Sequence, residues 1–294
     1  MKKLIVLAAC LGLSLLAVSQ VKTASKEDLE RFMKSTTYVV MEDYPFSAFN
    51  AYVEEQFAKN WKITPFKIIT IEEFDQKCGD PNASFLLVAE ARFDETKSSL
   101  FRSNTDLFDN MDTYTYDILN LVMGDKSKNI NQMPDLATVP ICYTAVESDE
   151  SYDYKMGVII SFMQYYVKYC LNNPGKDIRD IQKENQSKIS GYELWVLKEE
   201  LAPNVNTLEK IKSVYPYTVK IVTREDIQKA ILEKNPKVAI IHKVGPEGSV
   251  QGDIKCWKFI VTAADGMPLY FSSHKITSDK PDAFLEEDFK KLAK

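Results

Sequence analysis

At 294 residues, with 45% hydrophobic and 27% charged residues, the chain has the composition of a globular protein with room for two domains. Scarce glycine and 11% aromatic residues exclude low-complexity disorder. A formal net charge of −5 without a basic block argues against nucleic-acid binding.

Residues 1–19 read as a signal peptide. Met1-Lys2-Lys3 supplies two positive charges, Leu4–Val18 an apolar core, and Ala17 and Ser19 the small side chains that precede a cut near Ser19–Gln20. Leu7-Ala8-Ala9-Cys10 resembles a lipobox, but only six residues precede it and the apolar run continues behind it, so lipidation at Cys10 is disfavoured. The expected location is periplasmic or extracellular. No later apolar run is long enough to span a bilayer, so no transmembrane segment is expected after cleavage.

Residues 20–35 are a leader with a short polar helix within Lys22–Lys34. The first module, 36–172, opens with the strand Thr37–Met41. Asp43 and Pro45 then introduce a helix with Phe49, Tyr52, Val53, Phe57 and Trp61 on one face. Ile68-Ile69 is a β-branched strand. Thr70 with Glu73 is a capping box for a helix that turns Phe74 and Cys78 to one side. Phe85–Ala89 is an apolar run suited to a strand covered on both faces. Arg92–Thr113 has no clear period and is expected to cross the surface as a loop. Strands at Tyr114–Met123 and Val139–Val146 follow. An apolar helix over Tyr154–Leu171 is expected to bury itself against its own sheet and the other module. Residues 173–190 are polar and read as the linker.

The second module, 191–294, repeats the order. Tyr192–Leu197 is a strand, and Asn206 with Glu209 caps a short helix through Val214. Lys220–Val244 then aligns with Lys67–Ala91 without a gap, at an offset of 153. Thr223 with Asp226 matches Thr70 with Glu73, Ile227 and Ile231 match Phe74 and Cys78, and Val238–Ile241 matches the apolar run. Agreement of strand, cap, helix face, turn and strand in one order implies an internal duplication. Strands at Lys255–Thr262 and Leu269–Ser272, joined by an Asp265-Gly266 turn, precede a helix over Asp282–Ala293. The expected fold class is α/β: two tandem copies of a β-α-β-α-β-β-β mixed-sheet module, each followed by a helix.

Certain segments also resemble known proteins. The first strand, the helix ending near Trp61, Phe66–Phe74 (FKIITIEEF), the FLLVA of Phe85–Ala89 and the YDILNL of Tyr116–Leu121 are similar to the amino-terminal domain of the Tol translocation protein TolB and to CsgG-like envelope lipoproteins. The likeness runs from Tyr38 to Asp125, and more loosely from Tyr192 to Gly266. TolB's propeller repeats are absent and the module is duplicated here, so the family's partners do not carry over. INQMPDLATVPICY (130–143) and KIKSVYPYTVKIVT (210–223) resemble secreted Bacteroidetes proteins, which implies a periplasmic or surface location and no established activity.

A search for chemistry finds little. Cys78, Cys142, Cys170 and Cys256 lie in apolar surroundings and read as buried thiols, although an exported chain could pair them. No C-x-x-C, Gly-x-Ser-x-Gly, His-Glu-x-x-His or phosphate-cradling glycine loop occurs, and no cofactor is expected. His242 sits in an apolar strand aligned with Ala89 and reads as a core residue. Ser272-x-x-Lys275 would lie in a strand with its two side chains on opposite faces. Asp106, Asp109 and Asp112 are the calcium candidates, but the glycine and distal glutamate of a calcium loop are missing, and a solvated acidic turn is the default. The expected function is a non-enzymatic exported protein that binds an envelope protein or itself, through Phe101, Phe108, Phe162 and Tyr166. The alternatives are a carboxylate-dependent hydrolase and a small-ligand receptor with a cleft between the modules. Carboxylates converging from both modules would mark the hydrolase.

Overall fold

A computed structural model describes residues 23–43, 47–94, 97–100, 115–143, 152–247 and 254–294. The expected signal peptide with Cys10, the three calcium candidates, Phe101 and Phe108 lie outside the described residues. After α1 (Lys26–Phe32), the first module runs β1 (Thr37–Val40), α2 (Ala48–Asn60), β2 (Phe66–Ile69), α3 (Ile71–Lys77), β3 (Ser84–Asp94), β4 (Lys97–Leu100), β5 (Thr115–Met123) and β6 (Asp135–Tyr143). Next come α4 (Met156–Asn172) and α5 (Ile178–Asn185). The second module is β7 (Glu193–Leu197), α6 (Leu208–Lys212), β8 (Val219–Val222), α7 (Arg224–Leu232), β9 (Val238–Val244), β10 (Lys255–Thr262) and β11 (Pro268–Lys275), followed by α8 (Glu286–Leu292).

The two sheets share one topology. Their orders are β2-β1-β3-β5-β6 and β8-β7-β9-β10-β11. The first three strands of each module pair in parallel and the last two add antiparallel. The expected α/β architecture of two like modules is therefore present. Both capping boxes are reciprocal: Glu73 N–H donates to Thr70 Oγ1 (3.4 Å) and Thr70 N–H to Glu73 Oε2 (3.1 Å), while Asp226 and Thr223 exchange bonds of 3.3 and 3.1 Å.

The gapless alignment slips inside the second helix. Thr37 pairs with Phe66 and Ser84, and Leu194 pairs with Val219 and Ala239. Ser84 therefore corresponds to Ala239, two residues beyond the position the alignment assigns. α7 has nine residues where α3 has seven, which absorbs the difference. A two-residue slip leaves every strand side chain on the same face, so the hydrophobic pattern does not reveal it. His242 thus corresponds to Leu87 and not to Ala89.

Other local readings change as well. Part of the expected 92–113 loop is strand, because β3 continues to Asp94 and β4 folds back on it; a polar β-ribbon leaves no apolar period to read. Tyr52 is 42% exposed, off the buried stripe of Phe49, Val53, Phe57 and Trp61. Thr207 caps α6 in place of Asn206, accepting from Lys210 N–H (3.3 Å), while Asn206 Oδ1 accepts from Lys210 Nζ. The connection at 173–190 carries α5, whose Ile181 is fully buried and whose Asn185 donates to the Pro268 carbonyl at 3.2 Å.

Helix α4 joins the modules. Its Met156, Ile159, Ile160, Phe162, Met163 and Val167 belong to one continuous core that includes Phe32 of α1, Val53 and Phe57 of the first module and Ile227, Ile240 and Phe259 of the second. Two glycines permit this approach. A Cβ on Gly157 would meet Gln56 and Asn60 of α2 at 3.0 Å and Ile231 of α7 at 3.4 Å. Gly266 forms the β10–β11 turn at φ +69, and a Cβ there would stand 2.3 Å from the Phe162 amide nitrogen. The seam is fastened by polar bonds too: His242 Nε2–H donates to the Pro140 carbonyl at 2.8 Å, and the Tyr143 hydroxyl donates to the Lys255 carbonyl.

Candidate functional site

A cavity of about 330 Å³ opens along this seam. The β6 edge of the first sheet supplies Asp135–Thr138 and Pro140, and β5 supplies Ile118. Phe162 and Tyr166 come from α4, Asp177 and Ile178 from the start of α5, and Trp257, Phe259 and Phe271 from β10 and β11. Strand periodicity explains the second module's share. Trp257 and Phe259 alternate on one face of β10, while Cys256, Lys258 and Ile260 turn to the opposite face, toward α8.

The aromatic rings touch one another in a chain. Tyr166 stacks on Phe162 (6.2 Å, 20°), Phe162 meets Phe259 edge-on (6.0 Å), Phe259 meets Phe271 (4.9 Å), and Phe271 stacks on Trp257 (6.1 Å, 20°). Ring–ring contacts of this kind stiffen the wall and leave π faces for an occupant. Burial pushes the Tyr166 hydroxyl well above the usual tyrosine range, so it remains a neutral donor.

Asp135 places one carboxyl in this wall. Its Oδ1 accepts from Asn120 Nδ2 (3.1 Å) and the Thr138 hydroxyl (2.9 Å). Burial pushes its pKa up to about 6, against the hydrogen bonds from Thr138, Asn120 and the Ala137 amide, which favour the charged form. The carboxyl is therefore mostly ionised at neutral pH and titrates just below it. Asp177 caps α5, accepting from the Arg179 amide at 2.8 Å.

The four cysteines among the described residues are free thiols. Cys78, Cys142 and Cys256 are buried and Cys170 is half-buried. His274 donates through Nε2 to the Pro281 carbonyl (2.9 Å), and Ser272 and Lys275 lie on the extended β11. Of the named partner-binding residues, Phe162 is 5% exposed and Tyr166 half-buried, both within the cavity wall. Asp135, Trp257 and Phe271 also line the wall, with no catalytic or metal-binding motif around them in the sequence. The alternating Trp257/Phe259 pair is the one sequence signal for this wall, since it gives β10 an aromatic face besides the face that carries Cys256, Lys258 and Ile260. Among the described residues no group of three or more His, Cys, Asp or Glu could hold a metal ion, and no helix is long and apolar enough to cross a membrane. Comparison of the chain with protein families, curated proteins and solved structures gave no match.

Proposed function

We propose that the protein is an exported, non-enzymatic receptor whose two modules enclose a small apolar ligand carrying one hydrogen-bond donor. The observation that carries this reading is the preformed cavity, walled by aromatic rings from both modules, with Asp135 as its buried carboxyl and the half-exposed Asp177 at the start of α5. Its volume lies at the lower end of small-molecule sites, about 300–1,000 Å³. The rings would stack on a flat apolar body, and Asp135 would accept from its polar end. The hydrolase alternative needs carboxylates converging from both modules, whereas the second module's contribution to this wall is aromatic. The envelope-partner alternative loses Phe162 and Tyr166 as outward-facing anchors. The signal peptide read in residues 1–19 supports export.

The test is a thermal-shift screen of aromatic and alicyclic compounds, followed by titration of Trp257 emission. A ligand at a hundred times its Kd should stabilise the protein by about 2.7 kcal/mol. Asp135→Asn and Phe271→Leu should each weaken binding about tenfold or more, and wild-type affinity for a donor ligand should fall as the pH drops below 6. Hits that bind Asp135→Asn and Phe271→Leu as well as wild type would place the ligand elsewhere and end this reading.

A further inference from the structure

The aromatic cavity carries charge of one sign. Asp135 and Asp177 line it, and among the described residues no lysine, arginine or histidine does. The two carboxylates are met differently. Asp177 is half-exposed, caps α5 and has the Arg179 guanidinium 3.7 Å away. Asp135 is hydrogen-bonded by neutral groups alone, the Asn120 amide, the Thr138 hydroxyl and the Ala137 backbone, and among the described residues no cation acts on it. A carboxylate taken out of water is costly unless a cation meets it, and here the chain supplies none.

The duplication shows that the fold does not demand a carboxyl here. Leu87 pairs with Asn120 and His242 with Phe259, so Phe259 stands at the register position of Asn120. In the same way Pro268 stands at that of Asp135, and Trp257 at that of Ile118. The second copy thus builds the same strands with rings and a proline. The first keeps a carboxyl and the amide that holds it, and the two unlike walls enclose one space. Tyr166 lies near enough to Asp135 for the carboxylate charge to act on its hydroxyl. Aromatic faces attract cations, most strongly where water is excluded, and a carboxylate gives an N–H of a cation a charge-assisted bond. A neutral donor would use the rings and the acceptor but leave the charge unmet.

On the receptor reading above, on which this inference rests, we propose that the ligand is an apolar amine bound as its ammonium ion, which donates to Asp135 and lays its body against the rings. Calorimetric titration of the purified protein at pH 7 with benzylamine (protonated at that pH), benzyl alcohol and benzoate tests it. Benzylammonium should bind about tenfold or more tighter than benzyl alcohol, and benzoate should not bind. Asp135→Asn keeps an oxygen acceptor for Asn120 and Thr138, and should lower the benzylammonium affinity to that of the alcohol. Phe271→Leu should weaken both. Equal affinity of benzylammonium and benzyl alcohol in wild type, with both weakened by Phe271→Leu, would overturn the amine assignment and leave the receptor reading standing. A preference for the ammonium that survives Asp135→Asn would overturn it too. If neither benzyl compound binds, or if both bind Phe271→Leu as tightly as wild type, the receptor reading and the amine assignment fall together.

Discussion

Two buried residues at the seam titrate in opposite senses. Burial, and then the Lys155 charge, pull His242 from 6.5 down to about 3. Its folded form resists protonation, so its contribution to stability is complete above pH 6.5 and is lost as the pH falls, by about 5 kcal/mol at pH 3. Asp135, raised from 3.8 to about 6, works the other way. The folded state holds its proton more tightly, giving a contribution present below about pH 4 that is lost as the pH rises through 6, about 3 kcal/mol in all. Between pH 6 and 4 the two slopes, each about 1.4 kcal/mol per unit, nearly cancel. Urea denaturation at intervals from pH 7 to 4 should therefore show Asp135→Asn losing stability relative to wild type as the pH falls. If the two curves stay parallel, the opposing titrations are not there. His242→Leu, which installs the first copy's Leu87, should remove the acid-sensitive part at a cost of about 1–2 kcal/mol at pH 7 for the unpaired Pro140 carbonyl.

Each module is closed by a helix, and the two closures differ in chemistry. α4 meets the first sheet through an apolar face that includes Leu119 and Val139. α8 meets the corresponding face of the second sheet, where Lys258 stands at the register position of Leu119. Lys258 Nζ lies 2.5 Å from Asp288 Oδ2, and Asp288 also accepts from the Tyr270 hydroxyl (2.7 Å) and the Leu285 amide (2.8 Å). Removing the aspartate strands three donors, one of them a buried cation. Removing the lysine leaves the aspartate two donors. Asp288→Ala should cost about 3–5 kcal/mol, and Lys258→Leu distinctly less. Equal losses in denaturant titrations would mean that the ion pair, and not the shared acceptor, sets the cost.

Because one core crosses the seam, the two modules should unfold together. Variants retaining Trp61 or Trp195 as the sole tryptophan report on α2 and β7, and their urea transitions should coincide. Gly266→Val attacks the docking alone. It places a β-branched residue at φ +69 and a side chain against the α4 backbone, at a cost of about 3 kcal/mol or more. In that variant the two tryptophans should report separate midpoints. Persistent coincidence would mean that cohesion does not depend on the turn. The same docking creates the aromatic cavity, so ligand binding should weaken in Gly266→Val even though the residue does not line the site.

Local and periodic features were fixed by sequence alone. The capping boxes at Thr70 and Thr223, the β-branched strands, the Asp265-Gly266 turn and the repeated order of elements each depend on residues a few positions apart, and together they specify two α/β modules of one topology. Tertiary structure decided what depends on distant residues meeting. It set the two-residue slip that a period of two conceals, the choice of Lys258 as partner for Asp288, and the burial that moves Asp135 and His242 in opposite directions. The aromatic cavity belongs to this second kind. Its walls come from segments more than a hundred residues apart, which no local pattern connects until α4 brings the two sheets together.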